Sequence, residues 1–392
     1  METLELNEIN KLVLDKHHLT NESRIDDIIQ ITDDICGLHS TELTTSYLSL
    51  FERTKNFKKA DLERELYINN TLGRVRGMRR TLFIESKEMI PIIHAATFKL
   101  SEKTIEKYME FHKVSLSDYQ EISEQILNLL KEKELSASEI RKELNSKSNI
   151  PAIIQLMCNF GLLIRGKPIK DWKDRRNKYA RFNDYFPDIN LKALNENKAI
   201  QILIEKYLRS FGPATENDLS WWTGLTKTNI RKSLNAFDSD LNKIKISSIQ
   251  GEFIIFNSDI ERIYNHITSN SAPLLSILPR LDPYPMGYKE RERYIDNKNY
   301  NKIFDRSGNI TSTIFLDGVA IGVWDTIENP EPMIKYHLFH SIEKDLIDEL
   351  HFKVKKIGEF YFDENIKILE CESMVPLTER NAGGFMSPLK NC

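Results

Sequence analysis

The chain has 392 residues, more than one small domain holds, and roughly 100–200 residues per domain predicts two to four units. Hydrophobic residues make up 40% and charged residues 29%, a balance that excludes a disordered, fibrous or membrane-embedded chain. The formal net charge of −3 leaves no global basic excess, so any reading as a binder of polyanions must rest on local clusters.

In chain order, METLELNEINKLVL opens as an acidic amphipathic helix without the basic region, apolar block and cleavage site of a secretory signal. Cys36, Cys158, Cys371 and Cys392 are scattered and form no CxxC pair, which argues against a disulfide framework and a cysteine-built zinc site. A reducing, cytoplasmic location is the simplest expectation, with no metal and no membrane contact. Ile25, Ile28, Ile29 and Ile35 recur at helical spacing, and GLHST (37–41) interrupts them. Helices are predicted over 42–53 and 59–69, followed by a strand over 81–84 after the turn at Gly77. The outline returns with helices over 117–133 and 150–160, SASEIRKEL between them with Ser136 or Ser138 as cap, and a strand–loop–strand pattern over 161–182. It returns a third time with helices over 197–209, from Thr215, and over 226–237, then strands over 243–247 and 252–256 that turn at Gln250-Gly251. After about residue 272 the prolines 273, 279, 283 and 285 cluster, strand-like runs follow, and Asp317-Gly318 is a hairpin signal. HSIEKDLIDELHFKVKKI supplies one helix there.

The predicted fold is α+β. Three tandem winged helix-turn-helix units cover 1–115, 116–190 and 191–271, and a mostly β, barrel-like domain covers 272–392. Such units suit duplex DNA, because a helix fits the major groove and a basic wing lies beside phosphates. Candidate contacts are Lys170, Trp172, Lys173, Arg175, Arg176 and Lys178 in the second wing, Arg74, Arg76, Arg79 and Arg80 around Gly77, and Lys227, Asn229 and Arg231 on the third recognition-type helix. The plainer alternatives are a solvated loop for the first set, ion pairs with Asp61, Glu63, Glu65 or Asp33-Asp34 for the second, and ordinary exposed helix residues for the third. Trp221 and Trp222 read as core.

GLHST (37–41), GRVRGMRRTLFI (73–84), GKPIKDW (166–172), GPATENDLSWWTGL (212–225), LPRLDPYPMGYKERERYI (278–295) and LDGVAIGVW (316–324) together resemble the winged-helix DNA-binding family that includes the AlkZ- and YcaQ-type DNA glycosylases. The resemblance implies three winged-helix units and a β-barrel around a DNA cleft, excision of bulky alkylated purines or crosslinked bases from duplex DNA, no cofactor, and action as a monomer. In that family a Gln-x-Gln or Gln-x-Asp motif follows a Gly-Leu pair and holds a water near the sugar C1′. Here His39 and Thr41 occupy those places. His39 has the chemistry to orient a water or accept its proton, and Thr41 only to position it. The competing role for Thr41 or Ser40 is to cap the helix that begins near Glu42, with His39 an interior residue. Asp282, Tyr284 and Tyr288 are candidates to line the cleft, with packing of LDPYP as the alternative. A DNA-binding protein without catalysis, a regulator or a lesion-recognition factor, is the second reading.

Overall fold

A computed structural model describes residues 1–102, 104–266 and 272–379. Cys392 and the end of the fourth predicted unit lie outside the described residues. The fold is a mixed α+β arrangement.

The first 16 residues form β1 (Glu2–Leu4) and α1 (Leu6–Lys16). The next stretch runs α2 (Ile28–Asp34), β2 (Leu38–His39), α3 (Leu43–Arg53), α4 (Lys59–Tyr67), β3 (Leu72–Arg76) and β4 (Leu82–Ser86). Asp27 starts α2 by accepting from the backbone N–H groups of Ile29 and Gln30, both at 3.0 Å. The three strands form one sheet in the order β2-β4-β3. After α5 (Met89–Glu102) and α6 (Ile105–Phe111), the same order recurs: α7 (Leu116–Leu129), β5 (Leu135–Ser136), α8 (Ala137–Leu144), α9 (Ile150–Asn159), β6 (Leu163–Pro168) and β7 (Asn177–Arg181). Ser136 caps α8, and Glu139 returns the bond in a capping box. Its sheet order is β5-β7-β6.

The short α10 (Phe182–Tyr185) leads to α11 (Glu196–Phe211), α12 (Glu216–Thr223), α13 (Lys227–Leu234), β8 (Leu241–Ile246), β9 (Ile249–Phe256) and α14 (Asn257–His266). Thr215 and Thr226 cap α12 and α13. The β8–β9 turn falls at Ser247-Ser248, since Ile246 pairs with Ile249; the turn expected at Gln250-Gly251 is instead inside β9. The third member of this sheet comes from the chain start, where β1 pairs in parallel with β8, and Leu4, Ile9 and Leu12 share a core with Ile244 and Phe253. Residues 2–4 therefore complete the sheet of the third helical set and not that of the first.

The last segment contains β10 (Leu275–Leu278), α15 (Pro283–Met286), α16 (Tyr300–Ile303), β11 (Thr313–Leu316), β12 (Val319–Ile327), β13 (Met333–Leu338), α17 (Lys344–Phe362) and β14 (Lys367–Glu370). Asp317 and Gly318, with φ of 49° and 80°, make the two-residue β11–β12 turn. The expected barrel is an open five-stranded sheet ordered β10-β11-β12-β13-β14. The reason is visible in the chain. α17 intervenes between β13 and β14, so β14 returns parallel to its neighbour. Leu350, Val354 and Ile357 of α17 then cover Ile277, Ile314 and Ile334, burying a face that barrel closure otherwise encloses.

The spine of the molecule is α11. Ala199, Leu203, Tyr207, Leu208 and Phe211 are all fully buried there, in a core that also holds Leu14 of α1, Met78, Ile93 of α5, Trp222 of α12, Tyr284 and Tyr288. No helix among the described residues is long and apolar enough to cross a membrane. Cys36 and Cys158 are free thiols, whereas Cys371 is disulfide-bonded, so thiols throughout is not what the chain holds.

Candidate active site and nucleic-acid interface

The GLHST segment is fixed from three sides. Gly37 has φ of +90°, and a Cβ there runs into the buried Glu85 carboxyl, which burial holds protonated well above the usual carboxylate range. Leu38 and His39 pair with Ile84 and Phe83 on β4. The Ser40 backbone N–H donates to the Leu82 carbonyl at 2.8 Å. Arg74, itself buried, donates through Nε to Ser40 Oγ at 2.9 Å and through Nη2 to the Ser40 carbonyl at 3.0 Å. Its Nη1 donates to Asn177 Oδ1 on β7 at 2.5 Å. Arg74 is thus a buried clamp between the GLHST segment and the second hairpin, with each of its three guanidinium nitrogens donating inside the protein.

His39 lies 4% exposed, its ring edge-on to Phe83 at 5.3 Å. Its Nδ1 is buried without a hydrogen-bond partner. Burial, reinforced by the Arg79 guanidinium, pulls the imidazole down to about 3, so the ring is neutral throughout the physiological range. Such a ring is too weak a base to deprotonate water effectively, but it is a good orienting partner. Thr41 is exposed, and its side chain makes no hydrogen bond. The expected cap is absent: Glu42 occupies the N-cap of α3 without a side-chain cap bond. Its carboxylate is buried and carries two arginines, Arg175 across the second hairpin loop and Arg280 at 3.1 Å from Nε. Sequence reasoning gave Glu42 only a helix-dipole role. The Arg280 partner was out of view because it lies in the last segment.

The loop joining β6 and β7 carries most of the predicted second-wing contacts, and it folds inward. Trp172 is buried among Tyr47, Phe360 and Tyr361, with the Tyr47 ring 4.9 Å away and the Lys59 ammonium 4.9 Å over its face. It is a core residue of the first set, not a platform for bases. Lys173 sits 4.1 Å over the Tyr361 ring and 3.8 Å from Glu328. Arg175 is held by Glu42, and Arg176 by Asp174 at 2.8 Å. Lys178 is half-buried in β7, opposite Ser136. Lys170 is exposed, and its charge acts on Asp174. On α13, Lys227 is exposed and Asn229 half-buried, while Arg231 is paired with Glu216 at 2.9 Å.

Asp282, Tyr284 and Tyr288 are fully buried, so none of them lines a cleft. The Asp282 carboxylate takes both arms of Arg53 at 2.7 and 2.8 Å, and the Ser49 hydroxyl at 2.7 Å. Tyr284 donates to the Gly318 carbonyl and Tyr288 to that of Phe211. The requirement met here is charge pairing in a dry interior.

The turn between β3 and β4 differs from all of these. Arg79 and Arg80 adopt left-handed backbone, with φ of 51° and 61°. Each such residue costs roughly 1–2 kcal/mol. With Arg76 they line a cavity of about 500 Å³, completed by Ser101, Thr104, Ile105, Lys107, Tyr108, Phe111, Gln155, Leu156 and Asn159. No carboxylate lines it. Burial lowers Arg76 and Arg79 to about 10, still far above neutral, so both are cationic. The Arg79 guanidinium lies 4.0 Å over Trp221, and the Nε groups of Arg76 and Arg79 are buried without partners. A buried donor left without a partner costs about 1–3 kcal/mol. Among the described residues no cluster of three His, Cys, Asp or Glu is placed to hold a metal ion.

The family described as DNA glycosylase AlkZ-like matches residues 32–332. The chain belongs to the AlkZ-like DNA glycosylase family. The match spans the GLHST segment, both basic clusters and the LDPYP turn of this AlkZ-like chain. Its fold is similar to that of the Streptomyces sahachiroi DNA glycosylase AlkZ, with a TM-score of 0.76 at 15% identity, covering 94% of this chain and 100% of that one. No curated protein matches the AlkZ-like sequence.

Proposed function

We propose that this AlkZ-like chain is a monofunctional DNA glycosylase that hydrolyses the N-glycosidic bond of bulky alkylated purines, or of crosslinked bases, in duplex DNA. The family match across residues 32–332 carries the reading. The recurrence of helix, short strand, two helices and hairpin over 28–86 and 116–181, and of three helices and a hairpin over 196–256 with β1 as the third strand, supports three winged-helix units. The protein acts as a monomer. Free thiols at Cys36 and Cys158 suit a cytoplasmic location, and the bonded Cys371 speaks against it.

An N7-alkylated purine already bears positive charge, so the bond from C1′ to N9 breaks with its electron pair passing to the base. The sugar is left as an oxocarbenium ion, and water adds to C1′ and releases its proton to solvent. That sequence asks for an oriented water more than for a strong base. The neutral His39 imidazole fits the orienting role, and Thr41, on the surface two residues later, would act only from the rim. Incubation with duplex DNA containing N7-methylguanine, scored as alkali-labile abasic sites, tests this. Product from the wild type should exceed that from His39→Ala by about 10²-fold, the scale lost when a reacting group is misplaced. Equal product from the two proteins sinks the catalytic role of His39.

The second reading is a DNA-binding protein on the same scaffold that performs no excision. The observation favouring it is the separation of the motif, with His39 inside the protein and Thr41 outside. Absence of abasic product, together with duplex affinity that falls as salt rises, is the outcome that selects it.

A further inference from the structure

The β3–β4 turn carries a feature that excision does not need. Arg76, Arg79, Arg80 and Lys107 converge on one cavity, and none of them has a carboxylate within ion-pair reach among the described residues. Elsewhere in the molecule the predicted basic contacts Lys173, Arg175, Arg176 and Arg231 are all matched to acids. Arg79 is half-buried, and its Nε is enclosed without a partner. Two consecutive residues in left-handed backbone carry this pair of guanidiniums, a conformation that the surrounding structure must hold in place. Packing alone does not account for four like charges around an open volume, since each raises the cost of the next. Hydrogen-bonding neighbours fix the walls. Arg80 Nη1 donates to Thr104 Oγ1 at 3.1 Å, and Gln155 donates to Asn159 Oδ1 at 2.8 Å while accepting from Arg165 at 2.8 Å. The rim holds Tyr108 and the 81%-exposed Phe111.

We propose that this cavity is an anion subsite that seats a backbone phosphodiester of the bound duplex, with Arg76, Arg79 and Arg80 donating to its oxygens and Lys107 adding charge at the mouth. A cavity of about 500 Å³ has room for a phosphate and its sugar edge. Guanidinium forks suit phosphate oxygens. The Arg79 guanidinium is also near enough to His39 to help hold its imidazole neutral. The inference rests on the DNA-binding half of the proposed function and is independent of whether excision occurs.

The test is a salt titration of binding to an undamaged duplex by the full chain and by Arg80→Gln, Lys107→Gln and the double variant, each first checked for wild-type melting. Arg80 is exposed and Lys107 lies on the short α6, so neither change removes a core contact. Loss of one phosphate contact lowers the slope of log affinity against log salt by about 1, and Lys170→Gln on the second hairpin loop provides the surface comparison. A duplex with a single uncharged methylphosphonate, moved along the strand, should weaken wild-type binding at one position and leave the double variant insensitive there. An unchanged slope with native melting overturns the proposal. So does a cavity that is stabilised by inorganic phosphate while the DNA slope stays unchanged, which assigns the site to a free anion. Excision with an unchanged slope removes this subsite and keeps the glycosylase. A lowered slope without excision does the reverse.

Discussion

Two basic segments of this protein look alike as sequence and differ as structure. The loop joining β6 and β7 carries four basic residues, and of its side chains Trp172, Lys173, Arg175 and Arg176 all turn to partners within the chain. Of the four arginines on β3 and in the turn that joins it to β4, Arg74 spends its guanidinium on Ser40 and Asn177, and Arg80 gives one bond to Thr104. Arg76, Arg79 and Arg80 face a cavity without an acid. The difference teaches that a run of basic residues marks a ligand site only after its carboxylates have been found. For Arg175 the carboxylate is Glu42, which lies 133 residues earlier.

The contrast can be broken at several strengths. The largest effect is expected from Trp172→Ala, which empties a buried aromatic site shared with Tyr47 and Phe360 and should cost about 3–5 kcal/mol in urea unfolding. A cost near zero means the loop is not anchored and its lysines are free for DNA. Arg74→Gln comes next. It strips donors from the Ser40 carbonyl and Asn177, both buried, and should cost about 1–3 kcal/mol, whereas Arg80→Gln should leave unfolding almost unchanged. Equal costs for the two substitutions erase the division of labour within the turn.

Acid sensitivity offers a third approach. The imidazole of His39 titrates near 6.5 when unfolded and is lowered to about 3 when folded, so between these values the unfolded chain binds more protons. The contribution of His39 is therefore fully present above pH 6.5 and is lost as pH falls towards 3. His39→Gln should flatten the stability curve in that window, measured by denaturation at a series of pH values, and an unaltered acid limb contradicts the buried neutral ring. The smallest effect is predicted for Arg176→Gln. Its local pair with Asp174 is exposed, so melting and duplex affinity should both match the wild type. An affinity loss larger than that of Arg80→Gln reverses the comparison between the two segments.

The sequence by itself determined the local elements. Ser136 and Thr215 cap helices because a hydroxyl there reaches a free backbone N–H. Asp317-Gly318 turns because both residues tolerate left-handed backbone. The recurring helix and hairpin pattern was visible for the same reason, since propensity and periodicity act over a few neighbours. The candidate site was legible only as a position: Gly37-Leu38 marked where His39 would lie, but not that Thr41 would face out or that Glu42 would be sealed between two arginines. Only the tertiary structure decided which charges stayed unpaired, that β1 joins β8, that α17 covers an open sheet, and that Asp282, Tyr284 and Tyr288 are interior. Burial and charge neutralisation depend on groups brought together from distant parts of the chain, as Arg74 and Asn177 are across 103 residues, and no local pattern encodes that meeting.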